Sequence, residues 1–168
     1  YLKVKGFSEI MPEQFRAAMA DFRANGINKV VLDFRYNSGG LMFEALEILY
    51  DFAKSGDTLM VMRERARETV FDTAYVGSYL DAQRSPGTFR DMKVVVLINK
   101  GSASATEIFA GAMKDWGYPI VGSPSFGKGV GSTAGRPTRF RPTWCCGRPG
   151  SNCMPTEAWP SLAGDLRS

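Results

Sequence analysis

The chain has 168 residues and the composition of an ordinary globular domain, with 44% hydrophobic and 23% charged residues. It contains no histidine, which excludes a Ser-His-Asp triad, a Cys-His dyad and a histidine-ligated metal within these residues. No apolar run approaches the length of about 20 residues that a membrane-spanning helix needs. We also identify no signal peptide in these residues.

The net charge of +4 is concentrated towards the end of the chain, where residues 134–168 carry five Arg against two acidic residues. These Arg alternate with Pro and form no helical stripe, so we expect no nucleic-acid partner. The cysteines Cys145, Cys146 and Cys153 also lie in this stretch, at a spacing that matches no zinc pattern. Their role and the redox compartment stay open.

The first part of the chain predicts strands that alternate with helices. Alternating residue types predict a strand over residues 1–5, and apolar residues at helical spacing predict a helix over residues 12–24. A buried-strand run follows at residues 29–34. An amphipathic helix is expected over about residues 41–54, and a further strand over residues 58–62.

The next segment is harder to assign. Residues 63–91 mix charged residues with tyrosines and a Ser-Pro-Gly turn, and we expect a surface excursion there. The sequence KVVVLI at residues 93–98 is the clearest strand in the chain. Helix signals over residues 104–116, a short strand at 118–121 and a glycine loop complete the pattern.

This order predicts an α/β domain with a mostly parallel sheet covered by helices. The strands at residues 29–34 and 93–98 should be buried neighbours. From residue 134 onward there is no Ile or Val, while five of the nine Pro appear. We therefore assign residues 1–133 to the core. Residues 134–168 are predicted to be an irregular tail, a candidate for a segment foreign to the fold, that supplies no strand and little stability.

Ser104 lies in one of three turns, rich in glycine or serine, that each follow a predicted strand. Ligand sites in α/β sheets gather where strands end. Ser104 and Glu107 form the S-x-x-E pattern of a capping box, so the simplest interpretation is a helix N-cap. The same position lies beside unpaired N–H groups that can stabilise an oxyanion, which makes Ser104 a candidate nucleophile.

Lys128 stands between two glycines, an unusual setting for a residue whose default role is to be solvated. A lysine can act as a base only when it is neutral, which desolvation favours. Because no histidine is available, a Ser-Lys pair is the remaining well-known way to activate a hydroxyl. Gly39 and Gly40 predict a tight turn, in which a glycine N–H can also approach a substrate carbonyl.

Three segments of the chain resemble, in order and approximate spacing, the signature blocks of the C-terminal processing (tail-specific) peptidases. They are LDFRYNSGG (32–40), GSASATEI (101–108) and SFGKG (125–129). The resemblance covers about residues 1–133. It implies a ClpP/crotonase-like α/β fold, protein or peptide substrates bound by their C-terminal region, a periplasmic or cell-envelope location, and no metal or organic cofactor.

The resemblance also implies roles for individual residues of a serine endopeptidase. Ser104, rather than Ser102, would be the nucleophile and Lys128 its base. Family members often carry Gln four residues after the lysine, where it orients that lysine. In this chain that position is Ser132, a possible lysine-orienting residue.

Backbone groups would complete the site. The segment of Gly39 and Gly40, together with the N–H of Ala105, would form the oxyanion hole. Within residues 1–168 we expect no counterpart of the PDZ domain that gates substrate entry in the family. The oligomeric state stays open.

Two alternatives come from other classes of protein. The first is a nucleotide-binding protein, because residues 122–128 satisfy G-x-x-x-x-G-K after a predicted strand. Against it, Gly129 stands where a P-loop needs Ser or Thr, and no amphipathic helix follows. The second is a non-catalytic relative that keeps the fold as a binding domain, favoured by Ser132 and the unusual tail. The presence of both Ser104 and Lys128 argues against that alternative.

Overall fold

A computed structural model describes residues 1–64, 67–128, 130–133 and 136–141 of the chain. The helices and strands run in the following order: β1 Leu2–Lys3, α1 Met11–Ala24, β2 Lys29–Asp33, α2 Met42–Tyr50, β3 Thr58–Glu64, β4 Arg67–Asp72, α3 Thr73–Gly77, β5 Lys93–Ile98, α4 Ala105–Asp115, β6 Ile120–Gly122, β7 Val130–Thr133 and β8 Arg136–Arg141.

The first sheet is wholly parallel and has the strand order β1-β2-β5-β6. Strands β2 and β5 are neighbours, with residues 29–33 opposite residues 93–97. Along β2, Val30 and Leu32 are buried while Val31 between them is half-buried, so one face of the sheet is fully covered and the other partly. The prediction of two buried, adjacent strands is confirmed.

Helices α1, α2 and α4 flank this sheet and pack through one core. The centre of the core is aromatic: the ring of Phe34, at the end of β2, lies 4.7 Å from the ring of Phe109 in α4 and 5.9 Å from that of Phe7. Helix α4 is buried over most of its length, because it is built from small and apolar residues. The predicted α/β fold, a parallel sheet flanked by helices, is confirmed.

Helix α2 is shorter than the predicted span of residues 41–54. It ends at Tyr50, and the chain continues in turns that keep Phe52 and Ala53 fully buried. The N–H groups of Asp51 and Phe52 donate to carbonyls three residues earlier, which tightens the last turn. Among the helices in the described ranges, none is long and apolar enough to cross a membrane.

A second, antiparallel sheet has the order β4-β3-β8-β7 and was not predicted. The interpretation of residues 63–91 as a surface excursion is wrong for β4 and α3, whose Phe71 and Val76 are buried. Val70 beside them is 44% exposed. An antiparallel ribbon can leave one face in water, so its outer positions carry polar residues that obscure the strand pattern.

The prediction that no strand lies beyond residue 133 is also wrong. Strand β8 pairs with β3 on one side and with β7 on the other. Backbone hydrogen bonds to two neighbours hold a strand that has no aliphatic β-branched residues, because β-propensity depends strongly on context. The boundary proposed at residue 133 therefore falls between two paired strands. Residues 142–168, with the three cysteines, lie outside the described residues.

Candidate active site

Ser104 lies at the turn that joins the parallel sheet to α4, and its backbone is strained. Its φ of 57° and ψ of −120° are values that favour glycine. Among the non-glycine residues in the described part of the chain, only Tyr36 also has a positive φ. Such strain persists only where surrounding structure imposes it, and it is concentrated at functional sites. The Ser104 side chain is half-buried, at the surface of the domain.

The neighbouring Ser102 has a different task. It is fully buried, its hydroxyl donates to the carbonyl of Phe34 at 2.9 Å, and it accepts the N–H of Asn99 at 3.0 Å. These bonds tie the turn to the ends of β2 and β5. Because the Ser102 hydroxyl is committed to the fold, Ser104 is the better placed of the two serines for chemistry.

The glycine segment after β2 lies directly against the Ser104 turn. Gly39 has a φ of +104°, and a Cβ built on it would lie 2.8 Å from the Cβ of Ser104 and 3.0 Å from the nitrogen of Ala105. Only glycine allows this approach. The structure thus brings together Gly39, Ser104 and Ala105, which lie far apart in the sequence.

The buried Asn37 holds this segment in place. Its Oδ1 accepts the Gly39 N–H at 2.9 Å, its Nδ2 donates to the carbonyl of Val4 at 3.1 Å, and its own carbonyl accepts from the Thr106 hydroxyl at 3.0 Å. Since the Gly39 N–H is already bonded, Gly39 contributes close approach rather than a free donor.

The remaining candidate donors of the oxyanion hole are backbone groups on either side of this contact. Within residues 1–64 and 67–128, the N–H groups of Gly40 and Ala105 have no hydrogen-bond acceptor. Ala105 is the first residue of α4, so its N–H also lies at the positive end of the helix dipole. These two groups are available to a ligand atom with negative charge.

One carboxylate connects the serine turn with the lysine loop. Glu107 Oε2 accepts the N–H of Ser104 at 2.8 Å and the N–H of Lys128 at 3.0 Å. Its Oε1 accepts the Gly127 N–H and the Ser125 hydroxyl, both at 2.7 Å. The sequence predicted the bond to Ser104 but missed the other three. The signal available was an acidic residue in one block and a glycine-rich loop with several N–H donors in another.

The side chain of Lys128 is exposed, and in the described part of the chain it makes no hydrogen bond to Ser104 and no ion pair. The loop itself is close to the serine turn, since the N–H of Phe126 donates to the carbonyl of Ser102 at 2.9 Å. Ser132 lies in β7, opposite Pro137 of β8. The structure therefore places the backbone of the predicted base beside the predicted nucleophile without a contact between their side chains.

A charged cluster fixes the chain where it leaves β2. Asp33 is 1% exposed, and the guanidinium of Arg35 donates to both of its oxygens, at 3.0 and 2.9 Å. Lys3 and the Tyr1 hydroxyl also bind this carboxylate. The bond from Arg35 holds the pKa of Asp33 well below its usual range and outweighs the opposing effect of burial.

Two other kinds of site find no support in the described residues. No group of three or more Cys, Asp or Glu side chains there could hold a metal ion. The G-x-x-x-x-G-K segment is followed by β7 rather than by a helix. A P-loop uses the N-terminus of such a helix to bind phosphate, so the nucleotide-binding alternative lacks its main structural element.

Comparison with known proteins agrees with the three sequence blocks. Residues 1–136 match the family model for peptidase family S41. The "Probable CtpA-like serine protease" of Staphylococcus saprophyticus is 34% identical over 131 residues, which is 77% of this chain and 25% of that protein. The protein of the same description from Staphylococcus epidermidis is 32% identical over 133 residues, covering 79% of this chain and 26% of that protein. The chain spans about a quarter of the length of these relatives.

Solved structures show the same fold. The photosystem II D1 C-terminal processing protease superposes with a TM-score of 0.67 at 23% identity, covering 83% of this chain and 36% of that one. A lipoprotein from Streptococcus agalactiae gives 0.57 at 13% identity, covering 83% and 51%. The architecture is thus a ClpP-like α/β fold. The chain belongs to peptidase family S41, and its resemblance to the C-terminal processing peptidases is confirmed.

Proposed function

We propose that this chain is the catalytic core of a serine endopeptidase that cleaves protein substrates near their C-termini, with Ser104 as nucleophile and Lys128 as base. The observation that carries the proposal is the Glu107 carboxylate, which binds the backbone of both residues. Glu107 thereby joins two of the three sequence blocks, and Gly39 brings the third against the same strained serine. The N–H groups of Gly40 and Ala105 beside it have no acceptor within the described residues.

In the proposed reaction the neutral amine of Lys128 takes the proton of the Ser104 hydroxyl as its oxygen attacks the scissile carbonyl. The N–H groups of Gly40 and Ala105 stabilise the oxyanion that forms, and Gly39 leaves room for the carbonyl. The Lys128 ammonium then protonates the leaving amine. Water, activated by the same amine, hydrolyses the acyl-enzyme. A lysine side chain is long and flexible, so Lys128 can reach Ser104 from its fixed backbone position.

The remaining parts of the proposal follow from the family. Substrates would be proteins or peptides bound by their C-terminal region, and the protein would act in the periplasm or cell envelope. Ser132 is proposed to orient Lys128 in place of the glutamine that many family members carry. Residues 1–133 are proposed to contain the catalytic residues, although β8 extends the folded unit to Arg141.

Covalent labelling tests the nucleophile directly. A fluorophosphonate probe should modify Ser104, as located by mass spectrometry of the digested protein, and Ser104→Ala should remove the label. Ser102→Ala is the matched control: its hydroxyl supports the fold, so the variant should lose stability but still be labelled at Ser104. Undiminished labelling of Ser104→Ala would overturn the proposal.

A second function is favoured by one observation, the exposed Lys128 side chain that makes no bond to Ser104 within the described residues. A non-catalytic relative that binds peptides would tolerate this separation. It would bind substrate peptides with unchanged affinity after Lys128→Ala and would not react with the fluorophosphonate. Labelling at Ser104 therefore decides between the two functions.

A further inference from the structure

Asn99 follows β5 directly and lies outside the three sequence blocks, yet its side chain bonds to two of them. Its Oδ1 accepts the N–H of Tyr36 at 2.9 Å and the N–H of Gly101 at 3.0 Å. Tyr36 lies in the turn after β2, and Gly101 lies in the turn after β5. An amide oxygen has two lone pairs, so these two donors fill its capacity to accept hydrogen bonds. One side-chain atom therefore joins the two turns.

The backbone of Asn99 is itself held in place by Ser102. The N–H of Asn99 donates to Ser102 Oγ at 3.0 Å, and the carbonyl of Asn99 accepts the Ser102 N–H at 2.8 Å. Ser102 is fully buried, and its hydroxyl donates to the carbonyl of Phe34 at the end of the neighbouring strand. Because both backbone groups of Asn99 are bonded, its Oδ1 reaches Tyr36 from a fixed point at the end of the sheet.

Tyr36 has a backbone conformation that needs such support. Its φ of 64° lies in the left-handed region, which side chains other than glycine rarely adopt. A strained residue keeps such a conformation only where its surroundings impose it. The bond to Asn99 fixes the Tyr36 N–H, and a Cβ built on Gly101 would lie 3.1 Å from the Cα of Tyr36. Asn99 and Gly101 therefore hold Tyr36 in its strained conformation from one side.

The two bonded N–H groups stand just before the two sides of the candidate site. Tyr36 leads to Gly39 and Gly40, and Gly101 leads to Ser104. A change in the dihedral angles at Tyr36 moves the residues that follow it, including the N–H of Gly40. Since Gly39 is packed against Ser104, a shift of either turn alters the position of the hydroxyl relative to that N–H.

We propose that Asn99 is a positioning residue for catalysis. By holding Tyr36 in the left-handed conformation, it sets where the Gly40 N–H lies relative to the Ser104 hydroxyl. This inference rests on the proposed function, since it concerns the nucleophile and the oxyanion hole of the same reaction. In this role Asn99 acts through the two turns rather than on the reacting atoms.

The test compares Asn99→Ala with Asn99→Asp. Alanine removes Oδ1, so fluorophosphonate labelling of Ser104 should slow by about 100-fold, the cost of displacing a reacting group by about 1 Å. Aspartate keeps an acceptor oxygen in the same place and should be labelled at close to the wild-type rate. Asn25→Ala is the matched control. The Asn25 side chain also bonds to the backbone, donating to the carbonyl of Asp21 at 2.8 Å, but it does so at the end of α1. Asn25→Ala should keep the wild-type rate.

Two further measurements separate positioning from a loss of stability. In peptide cleavage, Asn99→Ala should lower kcat and leave KM unchanged, because the displaced groups act on the reacting carbonyl. In a Tyr36→Gly background, the loss of labelling rate caused by Asn99→Ala should shrink to about tenfold or less, since glycine adopts the left-handed conformation without strain.

Several outcomes would overturn the role of Asn99. Equal losses in the Tyr36 and Tyr36→Gly backgrounds would do so, as would labelling of Asn99→Asp as slow as that of Asn99→Ala. A third is unfolding of Asn99→Ala, seen by circular dichroism, that Tyr36→Gly does not reverse. Asn99 would then support the fold alone.

The failure of this proposal can be told apart from that of the peptidase function. Labelling of the wild type and of Asn99→Ala at the same rate overturns the role of Asn99 and leaves the peptidase function intact. Absence of labelling in the wild type overturns the peptidase function itself and, with it, any positioning role in that reaction.

Discussion

Gly39 and Ser104 are packed so closely that a Cβ on the first would lie 2.8 Å from the Cβ of the second. The same Cβ would lie 2.8 Å from the carbonyl oxygen of Ala103. A side chain at position 39 is therefore excluded by backbone atoms as well as by the side chain of Ser104. The two sequence blocks that contain these residues meet at their smallest residues.

Gly39→Ala should abolish most peptidase activity and lower the free energy of unfolding, because the added methyl group must displace the Ser104 turn. Gly26→Ala is the matched control. Gly26 also has a positive φ, of +74°, but nothing lies within 4 Å of the position of its Cβ. It should cost only the backbone strain, about 1–2 kcal/mol, and keep full activity. Equal activity in both variants would contradict the close contact. Thermal denaturation and peptide cleavage measure the two effects.

Glu107→Gln should reduce kcat on the order of 100-fold, the cost of displacing a catalytic group by about 1 Å. The amide keeps one oxygen acceptor but offers an NH2 group where N–H and O–H donors now point. Glu13→Gln is the control, because Glu13 occupies the first turn of α1 as Glu107 occupies that of α4. Glu13→Gln removes a carboxylate charge from the first turn of a helix, as Glu107→Gln does, but it should leave kcat unchanged. A KM effect without a kcat effect would argue against a role in positioning Lys128.

Ser104→Ala and Lys128→Ala should each abolish most peptidase activity, and the double variant should lose little more, since the two groups are proposed to act as a unit. Rates of peptide cleavage by the wild type and the three variants measure these losses. Full activity of Ser104→Ala would refute the dyad, and additive losses would show that the two residues act independently.

Asp33 should make the protein sensitive to acid. Its pKa is lower in the folded state than the value of about 3.9 expected for an unfolded chain, chiefly because of Arg35. The resulting stabilisation is fully present above about pH 4 and is lost as the pH falls below that value. Asp33→Asn should lower stability at pH 7 by about 1–3 kcal/mol and flatten the acid limb of a stability–pH curve. An unchanged acid limb would show that Asp33 is not the responsible group.

Truncation tests whether β8 contributes to the stability of the fold. Removing the residues after Thr133 deletes β8, which leaves β3 and β7 without their shared neighbour. The loss should exceed about 1–2 kcal/mol, more than an ordinary single substitution costs. Removing only the residues after Arg141 retains this pairing and provides the comparison. Equal melting temperatures of the two truncated proteins would show that β8 adds nothing to stability.

The accuracy of the sequence predictions follows the strength of the physical signal. Strands β2 and β5 are central and buried, so continuous apolar runs identified them. Strands β4 and β8 are rich in polar residues and are held largely by backbone pairing in the antiparallel sheet. Neither strand contains a continuous apolar run. Periodicity therefore could not reveal them.

The sequence predicted only part of the candidate site, because residue types can be recognised within a short block but contacts between distant blocks cannot. Ser104, Lys128, Gly39, Gly40 and Ala105 stand in short blocks whose residue types indicate chemistry. The sequence could not show that Asn37 occupies the Gly39 N–H, or that Glu107 bonds to Lys128, because both contacts depend on how distant segments pack. Resemblance indicated which residues matter, and the structure showed how their backbones are held together.

The Glu107 carboxylate has a consequence for how the Ser104 turn and the Lys128 loop are coupled. The bond from the Lys128 N–H crosses 21 positions of the chain, and the intervening turn at Gly117 has open space around its Cβ position. The chain between these two ends is itself part of the fold, since α4 is buried over most of its length and β6 pairs with β5. The lysine loop is therefore located twice, once by the sheet that precedes it and once by the carboxylate. A single acid thus couples the position of the Ser104 turn to that of the Lys128 loop, so that a shift of one backbone is passed directly to the other.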